Sequence, residues 1–217
     1  MKTTTVRKLL PEAWGFICPV HTPDGAPCGL LNHISLSCLP LACEEIDMRK
    51  YGTSFKKVLT LLGMNPISSD FGMVYPQNYL PVLLDGKLLG YVDPHHSLQF
   101  VKSLRGLKIG ATNKLIDSEL AKSIPQTLEV AFLLSNEVTE MVSRQFGSGS
   151  SSSSTGSSDG SLKEKFYPGI FLASTPSRFV RPVKNLEYGG IEFIGPLEQV
   201  NLSIACLEED LRADSSH

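Results

Sequence analysis

No apolar run in the chain reaches the roughly 18 residues that a membrane-crossing helix needs, so no membrane span is expected. The opening residues, "MKTTTVRKLLPEAWG", carry no apolar signal-peptide core, and Pro11 and Glu12 argue against an amphipathic transit helix. A cytosolic or nuclear compartment is the expectation that follows. Charge of one sign is also missing: 20 Lys and Arg stand against 22 Asp and Glu, a net charge of -2. That gives no global nucleic-acid signal, although local basic clusters can still act. Paired cysteines are absent as well. The five cysteines, Cys18, Cys28, Cys38, Cys43 and Cys206, are odd in number and come without a secretory signal, so a disulfide framework is not expected. Of these only Cys38 and Cys43 are close, and no second close pair answers them, which argues against structural zinc. There is no internal repeat.

What is present suits a globular chain. Of 217 residues, 41% are hydrophobic and 19% charged, enough apolar content for one core plus a piece of another. The expected fold class is mixed α+β, in four stretches. Residues 1–43, dense in Pro, Gly and Cys, read as loops and short strands, with "LSCLPLAC" a possible buried strand. Residues 44–146 read as a small α/β region. There, Phe55, Val58, Leu59 and Leu62 fall at helical spacing before Gly63. Two apolar runs flank Asp85-Gly86, a strong hairpin signal. Asp93 and Pro94 open a second helix whose face includes Leu98, Val101, Leu104 and Arg105, with Gly106 as its expected end. "DSELAKSI" reads as a short helix from Asp117, and "TLEVAFLL" as β-prone but ambiguous. Residues 147–161, nearly pure Gly and Ser, read as a flexible tether, and their irregular composition favours a natural insertion over a cloning linker. Residues 162–217 read as β-rich.

The densest chemistry lies in "CPVHTPDGAPCGLLNH", Cys18–His33. As a nucleophile, Cys18 would need an acidified thiol and a base within reach, and His21 sits across Pro19 in a broken loop with only Asp24 as an orienting carboxylate. As a metal site, it lacks close ligand pairs. The third reading, a stiff loop, fits best. Pro19, Pro23 and Pro27 each fix φ, while Gly25 and Gly29 allow positive φ or a close backbone approach. "TPDG" is a turn sequence, so Thr22, Pro23, Asp24 and Gly25 would present backbone groups and one carboxylate.

These residues also resemble a known family. "VRKLLPEAWGFICPVHTPDGAPCGLLNH" is similar to the fork region of the second-largest subunit of multisubunit DNA-directed RNA polymerases. Arg7, Trp14, Gly15, Cys18, Pro19, His21, Thr22, Pro23, Asp24, Gly25, Gly29 and Leu30 fill places of that pattern. Many such polymerases have Glu at the positions of His21 and Asp24; the form seen here resembles that of RNA polymerase I. "YPGIFLASTPSRFVRPVKNL" and "IEFIGPLEQVNLSIA" extend the likeness to the C-terminal end, with weaker matches at "LLGMNP" and "VLLDGKLLGYV".

The resemblance implies a portion of a nucleotidyltransferase that makes ribosomal RNA in the nucleus and nucleolus, inactive as an isolated chain. The fork would lie beside downstream DNA and the nucleotide site. Lys2, Arg7 and Lys8 would form a basic cluster near nucleic acid, and Asp24 would orient Arg7 or its neighbours. His21 would serve as a hydrogen-bonding group within the loop, and Trp14 as a packed core aromatic. Implied partners are the largest subunit and other polymerase I subunits, template DNA, nascent RNA and nucleoside triphosphates. No cofactor is implied in this chain itself; Mg2+ would be held by the largest subunit. Arg178, Arg181 and Lys184, and likewise Lys102, Arg105 and Lys108, read as solvated faces, and "EED" at Glu208–Asp210 as a solvated strand or tail. The family's later motifs are missing, which suggests an internal fragment or truncated gene model. The alternative is a non-enzymatic scaffold or interaction module that keeps the fork as a remnant.

Overall fold

Asp85 and Gly86 both take positive φ, 49° and 79°, the geometry of a two-residue hairpin turn. They join β3 (Leu80–Leu84) to β4 (Lys87–Val92), with a register shift between Val82 and Leu83. The computed structural model describes residues 4–42, 48–67, 78–110, 116–134 and 168–213. Two compact units emerge: Glu45–Ser174, and a second that joins Met1–Glu44 to Thr175–His217. Mixed α+β is the fold observed. Among the described residues no helix is long and apolar enough to cross a membrane.

In the Glu45–Ser174 unit, the hairpin is the centre of a five-stranded sheet ordered β2-β4-β3-β6-β5. Here β2 is Asn65–Pro66, β5 Glu129–Leu133 and β6 Gly169–Ala173. The β3–β6 pair is parallel and the others are antiparallel. Residues 169–173 therefore complete this sheet, so the unit boundary falls after Ser174 and divides the stretch 162–217. Gly90 is required where β4 passes β2, because a Cβ there would run into the Asn65 carbonyl. The Gly/Ser stretch 147–161 lies outside the described residues.

Among the described residues of this unit, α1 (Met48–Leu61) and α2 (Pro94–Ile109) supply buried core side chains, and α3 (Ser118–Ala121) packs Leu120 and Ala121 against them. The anticipated face of α1 holds: Phe55, Val58 and Leu59 are fully buried against Phe100, Leu104, Val82, Leu128 and Ile170. Asp93 caps α2 by accepting the His95 N–H at 2.9 Å. Gly106 does not end that helix. The apolar face continues through buried Leu107, and the left-handed stop falls at Gly110, φ 88°. Lys108, expected on a solvated face, is 2% exposed on this same buried turn, while Lys102 stays exposed. Asp117 precedes α3 as anticipated, and the ambiguous "TLEVAFLL" is strand β5, with Val130 and Ala131 buried.

The other unit carries a three-stranded sheet ordered β1-β7-β8, comprising Leu39–Leu41, Arg178–Lys184 and Ile191–Ile194. Among the described residues of "LSCLPLAC", Leu39–Leu41 form strand. Cys38 is buried, but Leu39 is exposed, because β1 sits on the sheet edge beside β7. Two short helices follow, α4 (Pro196–Gln199) and α5 (Glu208–Ala213). The "EED" run is thus the first turn of a helix, where acidic side chains favour the positive end of the dipole. Asp210 adds a cap, accepting the N–H groups of Cys206 and Leu207.

Candidate fork-loop site

The two-segment unit presents Cys18–His33 as one tied loop. Its base is closed by backbone bonds: the Cys18 N–H donates to the His33 carbonyl at 2.8 Å, and the Ser35 N–H to Phe16 at 2.9 Å. An isolated bridge pairs Ile17 with Ile34. Across the loop, Thr22 works in both directions. Its hydroxyl accepts the Gly29 N–H at 2.8 Å and donates to the Leu31 carbonyl at 3.0 Å. Successive turns then run from Gly25 to Leu31, with Cys28 bonded to Gly25 and Leu30 to Pro27. His21 stacks on His33, ring centroids 3.7 Å apart and planes within 5°. This ring contact, rather than a hydrogen bond within the loop, is what the His21 side chain makes among the described residues.

Arg7 reaches the loop from outside. Its guanidinium Nη1 donates to the carbonyl of Ala26 at 2.8 Å and also to that of Cys28. Gly29 lies against it: a Cβ there would stand 2.9 Å from both Arg7 Cβ and the Arg7 carbonyl, and Gly29 has φ +75°. Gly25 needs only its backbone freedom, φ +87°, with open space around it. Arg7 is therefore tied into the loop that the sequence placed near it. Asp24 is exposed, and among the described residues no hydrogen bond or ion pair joins it to Arg7. Pro19 and Lys8 are exposed and Pro23 half-buried; Lys2 lies outside the described residues. Arg7, Lys8, Pro19, Thr22, Gly25 and Gly29 share the wall of a cleft of about 980 Å³.

Two residues here depart from their sequence reading. Trp14 is 50% exposed rather than packed: the fold holds its backbone, with the N–H donating to the Pro11 carbonyl and its own carbonyl accepting from Gln199. Arg181 is not on a solvated face: its Nε–H donates to Gln199 Oε1 at 2.7 Å, and its guanidinium lies 5.9 Å from the Phe16 ring centroid. Burial pulls its basicity below the usual arginine range, and the charge of nearby Cys206 opposes that shift. Gln199 itself carried no signal in the sequence, although its amide reaches the carbonyls of Pro11 and Trp14. Arg178 donates to the Thr175 carbonyl at 2.6 Å, and Lys184 is exposed.

Apolar exposure is concentrated in the same segment. Ten large hydrophobic side chains between Val6 and Leu39 are exposed, among them Val20 and Leu36, which stand almost fully in solvent.

Comparison with known proteins bears on this loop directly. Residues 1–39 match the family model "RNA polymerase Rpb2, domain 3", which makes the loop-bearing segment a second-subunit polymerase module. Along its whole length the chain is 50% identical to DNA-directed RNA polymerase I subunit RPA2 of Euplotoides octocarinatus. It is 39% identical to the mouse protein of that name over 97% of the chain, and 38% identical to DNA-directed RNA polymerase I subunit 2 of Arabidopsis thaliana over 95%. The chain belongs to the RNA polymerase I second-subunit family. It spans only 15–16% of the length of these relatives.

Proposed function

We propose that the chain is the fork-bearing portion of the second-largest subunit of RNA polymerase I, acting within the assembled enzyme in DNA-templated synthesis of ribosomal RNA precursor. The observation that carries this reading is the agreement between family match and geometry: the residues of the fork pattern are the ones that tie the loop together. Arg7, Thr22, Gly25 and Gly29 hold its shape, which leaves Asp24 and Lys8 at the surface to meet other groups. Lys8, with Lys2 and whatever donors Arg7 has left, would contact phosphates, which positions a nucleic acid without reading its sequence. The exposed apolar residues between Val6 and Leu39 would be covered by the rest of the subunit, the largest subunit and other polymerase subunits. Identity along the entire chain does not favour the free-standing scaffold alternative.

In this reading template DNA, nascent RNA and nucleoside triphosphates are partners of the assembly, and its place is the nucleus, specifically the nucleolus. Mg2+ supplies charge stabilisation for phosphoryl transfer when bound. In this reading its ligands would come from the largest subunit. The isolated chain is expected to make no RNA.

The test is Asp24→Ala in the full-length subunit, assembled into polymerase I and assayed for elongation on a DNA template. Because Asp24 bonds to nothing else described in the loop, assembly should be unaffected while elongation slows several-fold. Wild-type elongation by a correctly assembled enzyme would remove the loop from the reaction.

A further inference from the structure

Gln199 is a buried amide at the end of α4, and both of its ends are committed. Its Nε2 donates to the carbonyls of Pro11 and Trp14, each at 2.9 Å, with a longer approach of 3.4 Å to Glu12. Its Oε1 accepts the Arg181 Nε–H at 2.7 Å. The orientation is forced. Turned over, the amide would set its oxygen against three carbonyl oxygens and its NH2 against a guanidinium N–H.

Arg181 occupies the remaining space. A Cβ on Gly15 would stand 2.8 Å from both its Cδ and its Nε, and Gly15 holds φ +80°. The guanidinium also faces Phe16, which is buried. Gln199 and Arg181 thus grip Pro11, Glu12, Trp14, Gly15 and Phe16, in the run that leads into the fork loop. The grip continues into the loop base. Ser37 donates to the Gly15 carbonyl at 3.0 Å, Phe16 accepts from Ser35, and Cys18 donates to His33.

We infer that Gln199 and Arg181 are positioning residues for the fork loop, setting the placement of its base and so the rate at which the assembled polymerase adds nucleotides. The inference rests on the fork reading above and adds to it the residues, over 160 positions away in sequence, that hold the fork in register. Neither side chain touches nucleotide or nucleic acid in this account; both act through the backbone of 11–18.

The test uses polymerase I assembled with the full-length subunit carrying Gln199→Leu or Gln199→Glu. The glutamate keeps an acceptor for Arg181 and loses both donors to the fork, so it isolates that half of the grip. Three readings are taken: subunit stoichiometry, amide exchange at Trp14, Phe16 and Cys18, and single-nucleotide addition with maximal rate and KM measured separately per active enzyme. Both variants should assemble, exchange those amides about tenfold faster, and show a maximal rate lowered about tenfold. A purely structural role would lower the yield of enzyme but leave the rate per active enzyme at wild type, and that result overturns the inference. If Gln199→Leu prevents assembly, Arg181→Lys decides: it keeps the stem against Gly15 but loses the planar Nε donor. Slowing by that variant supports the inference; a wild-type rate overturns it. Asp24→Ala separates the two levels. If it slows addition and the Gln199 variants do not, the positioning inference falls and the fork reading stands. If Asp24→Ala is also without effect, the fork reading falls and this inference falls with it.

Discussion

Gly15 packs directly on Arg181: the position a Cβ would take is 2.8 Å from the arginine Cδ and Nε. The glycine also holds φ +80°, so an L side chain there meets two obstacles at once, backbone strain and a clash. Gly15→Ala should destabilise the two-segment unit by about 1–3 kcal/mol, measured by urea unfolding. In an Arg181→Ala background the clash is gone and only the backbone strain remains. The alanine should therefore cost less there, and equal costs in both backgrounds would show that the contact carries no energy.

Asp85 does more than turn a hairpin. Its backbone N–H donates to the Leu172 carbonyl at 2.8 Å, and its carboxylate accepts both the N–H and the hydroxyl of Ser174, at 2.8 and 2.6 Å. One residue thus fixes the β3–β4 turn and the end of β6. Asp85→Ala should cost about 1–3 kcal/mol. Asp85→Asn keeps tolerance of positive φ and one acceptor oxygen, and should cost less than half as much. Thermal unfolding of the three proteins tests the order; alanine matching wild type would refute it.

Much of the architecture was legible wherever local chemistry decides it. Asp85-Gly86, Asp93-Pro94 and the Phe55–Val58–Leu59 spacing each name their element, because a turn, a cap and an apolar face need only neighbours in sequence. Gly106 misled because a glycine can stop a helix or simply sit in a tight helical face, and the choice belongs to what packs against it. The loop was legible as a stiff object, from its prolines and glycines. Its fastenings were not, since Arg7 to Ala26 and Gln199 to Trp14 join residues that no periodicity relates. Charge misled in the same way at Arg181 and Lys108, where long stems lie along buried surface.

Thr22 is the cross-brace of the Cys18–His33 loop, its hydroxyl accepting the Gly29 N–H and donating to the Leu31 carbonyl. Thr22→Val keeps shape and removes both bonds. The Gly29 amide should then exchange about tenfold faster, and the unit should lose about 1–2 kcal/mol in urea unfolding. Thr22→Ser, which retains the hydroxyl, should stay close to wild type. If valine stays at wild type while serine does not, the methyl packing rather than the bonds holds the loop.

Cys38 supplies a pH dependence whose sign follows from its surroundings. The thiol is buried beside the start of β1, and burial raises its pKa because the thiolate would lose its hydration. The folded protein therefore keeps this proton at pH values where the unfolded chain has already released it. Stability from this group is intact below the unfolded thiol range, about 8.5, and declines as pH climbs from there toward the raised folded value. Unfolding free energies measured in urea from pH 7 upward should fall more steeply for wild type than for Cys38→Ala, with the difference opening only on the alkaline side. Iodoacetamide gives an independent reading. At neutral pH it should modify exposed Cys28 and Cys206 well before Cys38, both because the thiolate is the nucleophile and because Cys38 is shielded. Equal labelling of the three, or parallel pH profiles for wild type and Cys38→Ala, would mean that this thiol is open to water and that β1 is not seated on β7.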